Sequence, residues 1–271
     1  MTPEPARAGG RRPHLVPPPA GVVASLLAVA VLDAWRRPPE AGPARRMLRC
    51  YGPLVVEGSD GTGLGQRATR GLIAYLAVKR ADASAAELLE ALWPGQPAAR
   101  PRLWKARFQA QALVGDALER NRDLYRLVRD RLAVDSDEIE RLLRGPPALE
   151  PLERALGLAG GEPLANVDYP WAETERRRLQ ALQIDVLIRV TAARLEAGDA
   201  HGALATAERL IQLEPLNEHG WRVAMEAEAA LGRRQAVLDR FEQLRRELDR
   251  RLGLRPDAAT RETYRRLLGQ G

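Results

Sequence analysis

The chain has 271 residues, 45% hydrophobic and 29% charged, enough for two ordinary domains that each bury a core. A single cysteine (Cys50) and three histidines in unrelated contexts (His14, His201, His219) exclude a disulfide framework and any metal-ligand spacing. No phosphate-binding loop, paired carboxylates or nucleophile–base constellation is visible either, so the sequence reads as a non-enzyme without cofactor. The net charge of +6 is uneven: residues 66–107 hold eight basic and three acidic groups, whereas residues 144–271 hold twenty of each. Concentrated positive charge in a folded region is the footprint of phosphate binding. Aromatics are only 4%, so the cores must be Leu, Ala and Val, which favours helix.

Residues 1–46 are rich in Pro, Gly and Arg and read as a disordered extension. Within them 20–32, AGVVASLLAVAVL, is a continuous apolar run, shorter than the roughly 20 residues that span a bilayer. Three readings stand: an extension or mis-assigned start with Met47 as the true one, a membrane anchor, or a cleaved signal. Membrane contact is expected only through 20–32; otherwise the chain is read as cytoplasmic and nucleoid-associated.

Residues 48–57, LRCYGPLVVE, alternate and read as strands turning at Gly52-Pro53. Gly58–Gly65 is a hairpin loop, since Gln66 breaks any dinucleotide fingerprint. Residues 66–80 form an amphipathic helix with Leu72, Ile73, Leu76 and Ala77 inward, and Arg67 and Arg70 at its start are better read as structural than as phosphate ligands. Ser84 with Glu87 makes a capping box for a second helix ending at Leu92-Trp93-Pro94, with Trp93 in the core.

The third helix, over 98–115, carries four cations (Arg100, Arg102, Lys105, Arg107) and no acid. Pro101 suits its first turn, and Leu103, Ala106, Ala110, Leu113 and Val114 form one apolar stripe. Such a helix is either a solvated amphipathic helix or one that the DNA major groove accepts. Arg100, Arg102 and Lys105 are the main base or phosphate candidates. Gln109 would read adenine if it faces the groove, and Arg107 is divided between DNA and an intramolecular partner. Residues 123–135 alternate and read as a two-stranded wing turning near Asp130, which makes Arg126 and Arg129 candidates for the minor groove or backbone, or else exposed strand charges. A short helix, Asp137 to Leu143, closes a winged helix-turn-helix over 47–143.

After a Gly145-Pro146-Pro147 linker the chain reads as all-helical over 148–271, with helices at about 148–158, 173–197, 200–213, 217–231, 234–252 and 257–268. Gly198 and Gly232, Leu204 and Leu238, Glu208 and Glu242, and Leu210 and Leu244 are each 34 apart, the tetratricopeptide period. Trp171 and Trp221 are packing anchors or, alternatively, line a ligand groove. The fold class is therefore mainly α: an N-terminal α+β winged helix-turn-helix followed by a tetratricopeptide-like helical-repeat domain.

Several stretches, in the right order, resemble the SARP-type (antibiotic-regulatory) transcriptional activators, which join an OmpR-like winged helix to a bacterial transcriptional activator domain. They are Leu88-Leu89-Glu90-Ala91-Leu92-Trp93-Pro94, Gly161-Glu162-Pro163-Leu164, Pro170-Trp171-Ala172-Glu173 with Arg176-Arg177-Arg178-Leu179, and Leu252-Gly253-Leu254-Arg255-Pro256 with Thr260, Tyr264 and Leu267-Leu268. The resemblance implies double-stranded promoter DNA and RNA polymerase as partners, with a second copy of the chain as a further candidate. The recognition helix departs from the family pattern: position 101 is Pro, 104 is Trp, 107 is Arg where a core Leu is usual, 109 and 111 are Gln, and 112 is Ala. The alternative reading is a helical-repeat interaction module whose winged helix has lost specific DNA binding.

Overall fold

The structure, a computed structural model, describes residues 46–58 and 63–269. Of the extension 1–46, residues 1–45, including the segment 20–32, lie outside them. Among the described residues no helix is long and apolar enough to cross a membrane.

Two small sheets frame the first part. In one, β1 (Met47–Arg49) lies between β2 (Val55–Val56), antiparallel, and β6 (Ala133–Val134), parallel. In the other, β5 (Leu124–Leu127) lies between β3 (Ala83–Ser84) and β4 (Leu118–Asn121), antiparallel to both. Helices α1 (Arg67–Lys79), α2 (Ala85–Leu92) and α3 (Arg100–Val114) pack between them. The inward face of α1 is as its periodicity predicts: Leu72, Ile73, Leu76 and Ala77 are fully buried. Ser84 ends β3 and caps α2 reciprocally with Glu87, at 3.1 and 2.8 Å.

The wing is not where the alternation of 123–135 puts it. The hairpin is β4–β5, in register Asn121↔Leu124, and it turns at Arg122-Asp123 rather than near Asp130. Arg122 takes the left-handed conformation there, φ +54. The stretch 123–135 instead contributes β5 to one sheet and β6 to the other. Two strands in different sheets share one alternating pattern, which is why the sequence reads as a single ribbon.

The remainder is helical: α4 (Asp135–Arg144), α5 (Leu149–Leu158), α6 (Pro170–Glu196), α7 (Ala200–Leu213), α8 (Glu218–Ala230), α9 (Arg234–Leu252) and α10 (Ala258–Leu267). The pairs α7–α8 and α9–α10 carry the 34-residue repeat. Gly198 and Gly232 stand after the preceding helices at φ +78 and +73, a conformation that favours glycine. In both places the next N–H returns to a carbonyl five residues back, Asp199 to Arg194 and Arg233 to Glu228, each at 2.9 Å. Trp221 is an anchor of this packing: it is buried against Leu244 and Leu248, and its Nε1 donates to the Pro215 carbonyl at 2.9 Å.

One continuous core runs from Leu48 to Val190 and so joins the winged-helix elements to α5 and α6. Backbone bonds cross the same boundary. Gly52 N–H donates to the Glu162 carbonyl at 2.9 Å, and Leu164 N–H to the Cys50 carbonyl at 2.8 Å. The Tyr51 hydroxyl donates to the Leu179 carbonyl at 2.9 Å. Arg176 fixes the loop 159–169 from α6 through the Pro163 and Val167 carbonyls, both at 3.2 Å. At the centre sits Asp135, wholly buried. Its carboxylate accepts the Cys50, Tyr51 and Ser136 N–H groups at 2.7, 3.1 and 2.8 Å, with Arg49 Nε at 3.6 Å. The lone cysteine is thus a free, buried strand-end residue whose backbone N–H is held by Asp135.

Candidate nucleic-acid interface

The candidate interface is built on α3. Pro101 starts the helix, since its missing N–H costs nothing in a first turn. Leu103, Ala106, Ala110 and Val114 are buried against α1 and α2, and Leu113 is partly buried. Arg46 caps the far end, its guanidinium donating to the Leu113 carbonyl at 2.7 Å. The helix is therefore held at its C-terminal end and along one face, and it offers the opposite face to solvent.

Arg100, Arg102 and Lys105 are exposed on α3, and no acid shares the helix with them. Arg102 is steadied by Gln96 at 2.9 Å. Arg107 lies at the edge of the buried face, bonds weakly to Gln111 at 3.4 Å and keeps a buried Nε with no partner. Gln109 does not face outward. Its Oε1 accepts from the buried Thr69 hydroxyl of α1 at 2.9 Å, so the adenine reading of this residue is withdrawn.

Arg126 stands on β5, exposed, with its guanidinium paired to Glu119 at 2.5 Å. That hydrogen bond holds the Glu119 carboxyl below the usual carboxylate range. Arg129 is off the wing altogether. It donates to the Ala77 carbonyl and pairs with Asp137 at 3.3 Å, and burial lowers the pKa of its guanidinium. Its assignment to DNA is corrected to one of joining α1, β5 and α4. The cations at the true hairpin tip are Arg120 and Arg122, both exposed, which the misplaced turn conceals in the sequence. Arg67 and Arg70 are structural: Arg67 stacks over Tyr169 at 4.7 Å, and Arg70 binds the Leu64, Gly65 and Asn166 carbonyls. Trp93 packs at the edge of the core, and Trp171 stacks with Tyr169 and meets Tyr75 edge-on.

The centre of the outward face of α3 is aromatic. Trp104 and Phe108, one turn apart, are 60% and 64% exposed and stack with ring centroids 5.9 Å apart. Residue type alone shows Trp104 as unusual at that position; its exposure depends on which residues α1 takes into the core.

Three comparisons bear on this arrangement. Residues 140–268 match the family model of the bacterial transcriptional activator domain. The regulatory protein AfsR of Streptomyces griseus is 27% identical over 233 residues, which is 80% of this chain and 24% of AfsR. The transcriptional regulator RedD of Streptomyces coelicolor is 29% identical over 251 residues, 82% of this chain and 70% of RedD. The chain thus spans about a quarter of one relative and most of the other. Among solved structures, EmbR of Mycobacterium tuberculosis, in complex with a low-affinity phosphopeptide, matches with a TM-score of 0.68 at 21% identity, over 83% of this chain and 65% of that one. At that identity the likeness is one of fold: a winged helix followed by a tetratricopeptide-like helical domain.

Proposed function

We propose that this chain, whose residues 140–268 match the bacterial transcriptional activator domain and which is similar to the regulators AfsR and RedD, binds double-stranded promoter DNA and activates transcription there. In this reading α3 lies in the major groove and the β4–β5 hairpin rests on the neighbouring backbone, the docking expected of a winged helix-turn-helix. Arg100, Arg102 and Lys105 contact phosphates or base edges, and Arg120 and Arg122 at the hairpin tip contact phosphates. Arg126 joins them by exchanging Glu119 for a phosphate. The helical domain contacts RNA polymerase or a second copy of the chain, and its continuous core with the winged helix transmits position rather than flexibility.

The observation that carries the proposal is the acid-free, cationic, solvent-facing side of α3, whose opposite face is buried and whose C-terminal end is held by Arg46. The test is fluorescence anisotropy of the full chain with its own upstream DNA, compared with the triple variant Arg100→Ala/Arg102→Ala/Lys105→Ala. The proposal expects a loss of affinity at low salt and a salt slope shallower by about one per phosphate contact removed. Unchanged affinity and slope would refute this assignment of the interface.

A further inference from the structure

We infer that α3 reads thymine in the major groove through its C5-methyl groups, with Trp104 and Phe108 as the specificity-determining pair. The inference rests on the DNA-binding reading above and names what that site recognises.

Residues 101, 104, 105, 108 and 112 lie opposite the buried stripe at 103, 106, 110 and 114, and so make up the part of α3 that would face the groove floor. Of these, Pro101 and Ala112 are small and apolar, Trp104 and Phe108 are large and apolar, and Lys105 is cationic. The polar atoms of this face are the Trp104 indole N–H and the Lys105 ammonium, both donors and neither an acceptor. The two side-chain acceptors on the helix are already used or turned aside: Gln109 binds Thr69, and Gln111 engages Arg107 and the Gly115 carbonyl.

In the major groove cytosine presents an N4 amino donor and adenine an N6 amino donor. Every base pair thus presents one amino donor, so a face without acceptors does not by itself choose between A·T and G·C, and the choice falls to the apolar rings. Thymine presents an O4 acceptor and a methyl group, which suit an indole N–H and an apolar ring face. Guanine offers acceptors only, but it leaves the exposed rings without an apolar partner. The flanking cations Arg100, Arg102 and Lys105 with the hairpin tip supply the charge that commits this aromatic face to a polyanion rather than to an apolar protein groove. Phosphate contacts fix the register, and the aromatic pair chooses the base.

The test begins with selection of the full chain against a randomised duplex pool. Each thymine of the selected core is then replaced by deoxyuridine, which removes only the methyl group. The inference expects adjacent thymines in the core and a loss of about fourfold per replaced methyl, the factor that burial of one such group brings. Trp104→Ala and Phe108→Ala, both on exposed side chains, should bind the thymine and deoxyuridine duplexes equally. Tight binding that is indifferent to deoxyuridine would overturn the inference and leave the DNA-binding reading standing. Failure of the unmodified chain to enrich any sequence would overturn both, and capture of a protein through Trp104 in its place would point to the interaction-module reading.

Discussion

Replacement of Asp135 by alanine is the sharpest probe of how the two parts of the fold are joined. The wholly buried carboxylate satisfies three backbone N–H groups, those of Cys50, Tyr51 and Ser136. A buried donor left without a partner costs about 1–3 kcal/mol. Two of the three belong to the strand end that leads into the Gly52–Glu162 and Leu164–Cys50 backbone bonds, and the third is that of the fully buried Ser136; removal of the carboxylate's own desolvation cost offsets part of the loss. The expected loss is therefore about 3–6 kcal/mol. Asp135→Asn keeps one acceptor oxygen but turns an amide donor toward another donor, so about half the loss is expected. Urea unfolding followed by tryptophan fluorescence and far-ultraviolet circular dichroism measures both. Because the core is continuous from Leu48 to Val190, the two probes should shift together in Asp135→Ala. A loss under about 1 kcal/mol would refute the reasoning, since that is the cost of a single solvent-relieved hydrogen bond.

Four further outcomes follow from the same contacts. Gly71→Ala would place a methyl 2.4 Å from Tyr169 Cε2 and 2.6 Å from Leu92 Cδ2, so overpacking should cost about 1–3 kcal/mol in thermal or urea unfolding. Gln109→Ala should lower stability by about 1–2 kcal/mol through the stranded Thr69 hydroxyl yet leave DNA affinity intact, and a large loss of affinity in anisotropy would restore the discarded groove-facing role. Arg122→Ala should reduce the salt slope of binding by about one without changing base preference. Burial, with Arg222 nearby, holds His219 below its ordinary value of 6.5, so the unfolded chain binds the proton more tightly. Its stabilising contribution is complete above that value and is lost as pH falls through it; His219→Gln should flatten the pH dependence of the unfolding free energy between pH 7 and 5.

The second half of the fold is legible in the sequence almost to the residue. Helices α7 and α9 begin and end as the periodicity predicts because local signals coincide there. A glycine stops the preceding helix, and Asp199, Asn217 and Asp257 cap α7, α8 and α10 through their own side chains. The wing is less legible because its turn residue is Arg122, an unusual choice for a left-handed position, whereas Asp130 carries the stronger turn chemistry without turning a hairpin. At the interface, the apolar stripe of α3 and the exposure of Arg100, Arg102 and Lys105 follow from spacing alone. The roles of Gln109 and Arg129 do not. They are decided by Thr69, Ala77 and Asp137, residues distant in sequence, and a wheel of α3 or a strand pattern cannot contain them.

The central claim is that this chain reads promoter DNA through α3 and the β4–β5 hairpin. It is tested most directly by anisotropy of the full chain on its own upstream DNA and on a scrambled duplex of equal composition, across a range of salt concentrations. The account predicts tighter binding to the upstream DNA at every salt concentration and a steep linear fall of log affinity with log salt. Equal affinity for the two duplexes, or no binding to either at low salt, would contradict it.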